Sequence, residues 1–252
     1  LNGLTMVIGG AALPKALALR AMARGIDIFT GYGMSETGPV LTIAHLKKSM
    51  LTGVADDEVN FRTKTGRPIP LVDIRIVDPD MKDVAHDGKA SGEIVVRAPW
   101  LTQGYYDNPP ASENLWHGGY LHTNDIANMT PHGYLQITDR LKDVIKTGGE
   151  WISSLELEDI IMKAPGVKEV AVIGVKDEKW GERPAALVVR DYQAPVEPTE
   201  NSIKAHVGKV ADSGVISKYA VPQTILFVDQ LDRTSVGKID KKALRKRYTE
   251  DE

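Results

Sequence analysis

The chain has 252 residues, 42% of them hydrophobic and 26% charged, so it can bury the core of one or two globular domains. Its 31 basic and 34 acidic residues give a net charge of −3, and no long basic stripe occurs before residues 241–247, so nucleic acid is not an expected partner. The absence of cysteine excludes disulfides, thiolate metal sites and a cysteine nucleophile, and it fits a cytoplasmic location. The sequence has no apolar run of about eighteen residues that would predict a membrane span.

The beginning of the chain predicts a strand–helix–strand unit, with strands at 4–8 and 26–29 and a helix near 13–24. Such a unit forms a parallel crossover, and ligands of open α/β sheets bind at the carboxyl ends of the strands. Both Gly9-Gly10 and Gly31–Gly33 fall at that edge.

Residues 66–139 predict a small β-rich subdomain. Apolar and polar residues alternate over 72–77, and further short strands are expected at 93–97 and 134–138. Turn signals separate these segments, for example at Asn108-Pro109-Pro110.

The remainder of the chain predicts a second α/β unit. Ser153 and Glu156 form a candidate capping box before an apolar helical stripe that ends near Ala164. Strands are expected at 170–175, 185–189 and 225–228, and helices at 200–212 and around Ala243-Leu244.

The segment Gly31–Glu36 is the first candidate site. Glycines on both sides of Tyr32, just past the predicted strand, would let a flat ligand approach the backbone and stack on the tyrosine ring. Ser35 offers a hydroxyl to phosphate, and Glu36 offers a hard oxygen to Mg²⁺. The third glycine of a dinucleotide fingerprint is missing. A plain turn with a solvated glutamate is the alternative interpretation.

Two further segments carry polar groups that suit a nucleotide. The Asp125 carboxylate can accept hydrogen bonds from both hydroxyls of a ribose, and Arg140 has planar donors for ribose or phosphate oxygens. The alternatives are a turn-forming aspartate and an ordinary surface run of charge. The six histidines have no metal-ligand spacing.

Two glycine–lysine segments complete the candidates. Gly148-Gly149 predicts either a flexible turn or close passage of a narrow ligand, and Lys238 lies on a predicted flexible loop from which its ammonium can reach a developing negative charge. The segment before Lys238 lacks the first glycine of a Walker A loop. Ser235–Lys238 reads S-x-x-K, but the motif order of penicillin-recognising hydrolases is reversed and S-D-N is absent.

In this order and spacing, four motifs resemble those of the adenylate-forming acyl-CoA synthetases. The motifs are Thr30–Glu36, His122–Asp125, Asp139–Gly149 and Thr234–Ile239. The likeness extends over essentially all of residues 1–252, which would form the last half of such an enzyme. Members of the family usually have threonine at the place of Ser35, glycine at that of Asn124 and proline at that of Asp232.

The resemblance implies an α/β and α+β fold in two parts. Residues 1–140 would end a large N-terminal adenylate-binding domain, with a βα unit at 1–65 and a β-rich subdomain at 66–139. Residues 141–252 would form a smaller, mobile C-terminal α+β domain that carries the catalytic lysine. Lys142 would be the hinge between them.

The resemblance also implies roles for individual residues. Lys238 would be the catalytic lysine, Ser35 and Glu36 would assist it, and Glu36 would bind Mg²⁺. The implied nucleotide-binding residues are Gly9, Gly10, Gly31, Tyr32, Gly33, Met34, Asp125, Ile137 and Arg140. The implied CoA-binding residues are Gly148, Gly149, Glu150 and Trp151.

The implied activity is ATP-dependent ligation of a carboxylic acid to CoA through an acyl-adenylate. The residues after Gly149 are most similar to synthetases for medium- or long-chain fatty acids, although a smaller acid such as a methylthio-propionate stays open. The alternatives are an adenylation unit that loads a carrier protein and a non-catalytic nucleotide-binding module. A homodimer is also left open.

Two features indicate that sequence preceding Leu1 is missing. A strand is expected almost at once, without an initiator methionine, and the family's Ser/Thr/Gly-rich phosphate loop ending in Pro-Lys-Gly does not occur in the 252 residues. We therefore expect this chain alone to adenylate poorly or not at all.

Overall fold

A computed structural model describes residues 3–234, 237 and 239–249, without the side chain of residue 249. The chain divides into two compact units, one ending at Thr138 and the other beginning at Asp139. None of the helices in the described ranges has the length and apolar character that a membrane crossing would require.

The first unit opens with the predicted crossover. Strand β1 (Thr5–Ile8), helix α1 (Lys15–Met22) and strand β2 (Asp27–Tyr32) follow one another, and the two strands pair in parallel. The apolar face of α1 is buried against this sheet, where Ala18 is fully enclosed and Ile28 is nearly so.

Strand β2 is longer than the sequence predicted, because Gly31 and Tyr32 pair antiparallel with strand β3 (Thr42–Ile43). The prediction that Tyr32 lies just past the strand was therefore wrong. Strand β4 (Arg67–Pro68) completes a sheet in the order β1-β2-β3-β4.

Helix α2 (Ala55–Arg62) was not predicted, since its sequence has no apolar stripe. Charge pairing holds it instead. The buried Arg62 guanidinium lies 3.2 Å from the Glu58 carboxylate one turn earlier and also pairs with Asp27 of β2. An ion pair can anchor a helix in this way when each buried charge has its partner.

The second sheet of this unit contains five strands, with β5-β6-β8-β7 as its order, and β9 also pairs with β8. They are β5 (Asp73–Val77), β6 (Ser91–Arg97), β7 (Trp116–His117), β8 (Tyr120–Met129) and β9 (Leu135–Arg140).

Between β6 and β7, helix α3 (Pro109–Leu115) replaces the turn expected at Asn108-Pro109-Pro110. Asn108 caps the helix, its Oδ1 accepting from the Ala111 amide at 3.3 Å. Proline fits the first helical positions, whose amides have no partner within the helix. The turn prediction failed because the same residues are also a helix start.

The second unit is a five-stranded sheet with helices on both faces. Its strands are β10 (Ile145–Thr147), β11 (Glu150–Ile152), β12 (Val167–Asp177), β13 (Gly181–Arg190) and β14 (Thr224–Phe227). Its helices are α4 (Ser154–Ile161), α5 (Glu200–Asp212) and α6 (Lys241–Thr249).

The two faces of β12 and β13 build two cores. Val170 and Val172 pack with α4 and α5, whereas Ala171 and Ile173 pack with Leu244 of α6. Because both faces are covered, these strands are continuously apolar rather than alternating. The mixed α/β fold predicted from the sequence is confirmed.

Candidate functional site

A hydrogen bond joins two of the predicted nucleotide-binding residues. Tyr32, at the carboxyl end of β2, donates its hydroxyl to Oδ2 of Asp125 in β8 at 2.7 Å. Asp125 is 7% exposed, and the Tyr32 ring packs against the apolar cluster that Ile137 of β9 also covers. The structure thus brings Tyr32 and Asp125 together in the first unit, and Ile137 packs against the same apolar cluster as the Tyr32 ring.

The glycines predicted for the nucleotide site lie at this edge, and at Gly33 the packing requires glycine. Gly9 and Gly10 follow β1, and Gly31 lies within β2. At Gly33 an added Cβ would come within 1.5 Å of the Pro39 carbonyl oxygen, so only glycine fits. This requirement exists without any ligand.

The residues after Gly33 form a short 3₁₀ turn at Ser35–Thr37. The Thr37 hydroxyl accepts from the Met34 amide at 2.9 Å, and the Trp100 indole donates to the Thr37 carbonyl at 3.0 Å. This bonding fixes the turn, so Ser35 stands exposed.

Glu36 has a hydrogen-bond partner that no sequence motif indicated. The Tyr105 hydroxyl donates to its Oε1 at 2.8 Å, and the backbone amide of Thr102 donates to its carbonyl at 3.0 Å. The hydrogen bond to Glu36 is the main reason why the pKa of Tyr105 is raised.

The surroundings of Glu36 fit a magnesium ion held jointly with substrate. The described residues contain no cluster of three or more histidine, aspartate or glutamate side chains that could hold a metal by themselves. Mg²⁺ is commonly bound through one or two carboxylates together with substrate phosphates. A half-buried carboxylate with one oxygen fixed by Tyr105 suits that arrangement.

Asp125 lies in a bulge of β8. The pairing with β6 shifts register there, so that three residues, 123–125, stand opposite Ile94 alone. Asn124 adopts a left-handed backbone with φ 58°, and its amide donates to Oε1 of Glu93 at 3.0 Å. Asparagine tolerates this conformation better than most residues do. Asn124 thus adopts a left-handed conformation at the position where the family resemblance implies glycine.

Arg140 is the last residue of β9, and Lys142 lies in the turn that follows, in which the Arg140 carbonyl accepts from the Asp143 and Val144 amides, both at 2.8 Å. Both side chains are exposed. The neighbouring Asp139 is buried, and its Oδ2 accepts from the Ser154 amide at 2.6 Å. This contact ties the start of the second unit to the first turn of α4.

Gly148 and Gly149 form the two-residue turn of the β10–β11 hairpin, with φ values of 57° and 85°. Paired left-handed residues are what this tight hairpin turn requires. The Gly148 amide donates to the Trp180 carbonyl at 2.9 Å. Glu150 and Trp151 follow in β11, with the Trp151 ring 5.8 Å from the Lys146 ammonium.

Lys238 itself lies outside the described residues, but the base of its loop is defined. Arg233 bridges to Ile239 in the backbone ladder, and its guanidinium donates to the Gly237 carbonyl at 2.9 Å and to Glu169 at 2.7 Å. Asp232 pairs with Arg247 at 3.1 Å. The residue that replaces the family's proline therefore has a tertiary contact.

Comparison with known proteins identifies the family of this chain. Residues 1–106 match the family model for the AMP-binding enzymes, and residues 156–238 match that for their C-terminal domain. The chain belongs to the AMP-binding enzyme family. The resemblance inferred from the four motifs is thereby confirmed.

Among curated AMP-binding enzymes, a long-chain-fatty-acid–CoA ligase of Thermus thermophilus is 41% identical over 96% of the chain and 44% of the relative. A 3-methylmercaptopropionyl-CoA ligase of Ruegeria lacuscaerulensis is 36% identical over 96% of the chain and 43% of the relative. The ATP-bound MatB structure from Rhodopseudomonas palustris superposes with a TM-score of 0.73 at 29% identity, over 96% of this chain and 45% of that one. The chain thus spans somewhat less than half the length of these relatives.

Within this AMP-binding enzyme chain, sequence reasoning missed Glu93 and Tyr105. Each contacts a predicted site segment that lies far away along the chain. The glycine before Glu93 and the tyrosine pair at 105–106 are the only local signals, and neither indicates a partner.

Proposed function

We propose that this chain is the adenylate- and CoA-handling part of an acid–thiol ligase. The Tyr32–Asp125 hydrogen bond carries the proposal, because it places an aromatic ring and a carboxylate together at the sheet edge of an AMP-binding enzyme. The ring would face adenine, and the carboxylate would accept hydrogen bonds from the ribose hydroxyls. Gly9, Gly10, Gly31, Gly33, Met34 and Ile137 would complete the nucleotide site.

The proposed reaction has two steps. The acid's carboxylate oxygen attacks the α-phosphorus of ATP, which forms the acyl-adenylate and releases pyrophosphate. The CoA sulfur then attacks the acyl carbonyl, so that AMP leaves and the thiol proton is released. Lys238 would stabilise the negative charge of the first transition state, and Ser35 would donate to a phosphate oxygen. Arg140 would hold ribose or phosphate oxygens.

Glu36 would hold Mg²⁺ together with ATP. The bound ion would supply charge neutralisation on the phosphate oxygens. Tyr105 keeps Glu36 in place for this, since its hydroxyl fixes one carboxylate oxygen.

The second step would use the other unit. The β10–β11 turn, with Gly148, Gly149, Glu150 and Trp151, would line the path of the CoA arm, and Lys142 would be the hinge about which residues 141–252 rotate between steps. The naming of the relatives as CoA ligases supports CoA rather than a carrier protein as acceptor. A dimer and a cytoplasmic location stay predictions.

The substrate acid is proposed to be a medium- or long-chain fatty acid. The Thermus thermophilus relative named for such acids supports this. The Ruegeria lacuscaerulensis relative, named for a methylmercapto acid, supports a small thioether acid as the alternative.

Calorimetric titration with AMP and 2′,3′-dideoxy-AMP tests the nucleotide site. The wild-type chain should bind AMP more tightly, and D125N should weaken AMP binding about tenfold, since a charged hydrogen bond contributes about that much. Binding of the dideoxy compound should not change.

D73N is the matched control, because Asp73 is another carboxylate of the same unit and also accepts from a tyrosine, Tyr120 at 2.8 Å. It should bind both nucleotides as the wild type does. Equal binding of the two nucleotides by the wild-type chain would refute the proposed role of Asp125.

A further inference from the structure

Glu93 of β6 uses both carboxylate oxygens on the bulge that contains Asp125. Its Oε1 accepts from the Asn124 amide at 3.0 Å, and its Oε2 lies 2.9 Å from Nδ1 of His122. The residue is 9% exposed, so little water competes for these bonds. The other ring nitrogen of His122 lies 3.3 Å from the His117 carbonyl oxygen, which holds the imidazole in place.

The bulge needs such support. A bulge takes backbone amides out of the regular ladder, and a left-handed residue other than glycine is held there against its own preference. Further bonds complete the loop, as the Thr123 hydroxyl donates to the Ile94 carbonyl at 2.8 Å and lies 3.2 Å from the Asp125 amide. Glu93 is bonded to the residues on both sides of Thr123.

We propose that Glu93, backed by His122, is a positioning residue for Asp125. Glu93 fixes the Asn124 amide, and thereby the direction in which the Asp125 side chain points. The inference rests on the proposed role of Asp125 in binding the ribose. Glu93 itself does not touch the nucleotide in this proposal.

The nucleotide pair used above separates positioning from general support of the fold. E93A should weaken AMP binding about tenfold and leave dideoxy-AMP binding within about twofold, because only the ribose hydroxyls depend on the direction of Asp125. E93Q should retain most of the AMP affinity, since its amide oxygen can still accept from Asn124. If the wild-type chain prefers AMP to dideoxy-AMP, an equal loss for both nucleotides in E93A, or no loss, would overturn the inference.

Amide hydrogen exchange in the ligand-free chain gives a readout that does not depend on nucleotide. The Asn124 amide should exchange at least about tenfold faster in E93A than in the wild type, while D73N leaves its rate unchanged. Unchanged exchange in E93A contradicts the inference even if AMP binding falls. Faster exchange in a chain without any preference for AMP would support the clamp that Glu93 forms on the Asn124 amide, and would refute the ribose role of Asp125 instead.

H122L provides the same tests if E93A does not fold. H122L removes the imidazole that contacts Glu93 but keeps the Glu93 carboxylate. AMP binding should therefore weaken and the Asn124 amide should exchange faster, both by less than in E93A. A folded H122L chain with wild-type exchange at Asn124 and wild-type nucleotide preference would count against the clamp.

Discussion

A left-handed backbone position usually holds glycine, yet residue 124 is asparagine with φ 58°. Asn124 keeps this conformation because its amide donates to the buried Glu93 carboxylate and because asparagine tolerates a left-handed backbone. The residue type at position 124 therefore determines how much strain the left-handed backbone carries. That gives a direct test by substitution.

N124G should keep the bulge, because glycine adopts positive φ without strain. N124V should lower the free energy of unfolding by about 1–3 kcal/mol, since a β-branched side chain is strained there. Urea denaturation followed by circular dichroism measures the difference. A valine variant as stable as the glycine variant would show that the strand can realign around residue 124.

Helix α6 is joined to helix α4 by a buried network of hydrogen bonds and an ion pair. The Lys241 ammonium donates to the Ser154 hydroxyl at 2.6 Å and lies 2.7 Å from Oε1 of Glu158. The same Ser154 hydroxyl donates to Asp139 at 2.7 Å. Because α6 directly follows the Lys238 loop, this network connects the base of that loop to the first residue of the unit.

K241M should destabilise the second unit by about 3 kcal/mol at neutral pH, because it leaves the Glu158 carboxylate buried without its cation. Burial already raises the pKa of Glu158 above its ordinary 4.5, against the lowering effect of Lys241. The folded state therefore binds the Glu158 proton more tightly than the unfolded chain does. Stability from this group falls as the pH rises above about 4.5 through the folded pKa.

The loss caused by K241M should consequently be larger at pH 8 than at pH 5 in urea denaturation. The double variant E158Q/K241M removes both charges of the Lys241–Glu158 pair and leaves Asp139 as the carboxylate of the network. Most of the difference between the two pH values should therefore disappear. If K241M lowered the free energy of unfolding equally at pH 5 and pH 8, the network would not stabilise the unit in the way proposed.

Apolar periodicity made much of the fold predictable. The stripe of α4 and the apolar runs of β12 and β13 reveal their elements directly. Helix α2 stayed hidden because it has no apolar stripe, and one of the two ion pairs of Arg62 that stabilise it depends on Asp27, which lies 35 residues earlier.

The candidate site shows the same limit. Separate sequence motifs indicated Tyr32 and Asp125 as candidate site residues, and only the family resemblance implied that they bind the same ligand. The hydrogen bond between them spans 93 residues, and the Glu93 clamp spans 31. Such contacts depend on strand order and register, which a local pattern does not contain.

Release of pyrophosphate tests what the chain does alone. Adenylation depends on positioning and charge neutralisation around the phosphates, and the 252 residues contain no phosphate loop ending in Pro-Lys-Gly. With ATP, Mg²⁺ and a long-chain acid, we expect no release above the buffer rate. A fusion that places the preceding region of the Thermus thermophilus relative before residue 1 should restore release.

The substitution K238A distinguishes a real activity from a contaminant. In the fusion it should lower the rate by about 10²–10³-fold, the usual effect of removing one group that stabilises transition-state charge. Release by the unfused chain that K238A abolishes would mean that these residues catalyse adenylation unaided, because only a reaction at this protein's own site would depend on Lys238. A fusion that is active but indifferent to K238A would instead exclude Lys238 from the first step while leaving the adenylate site of the first unit in place.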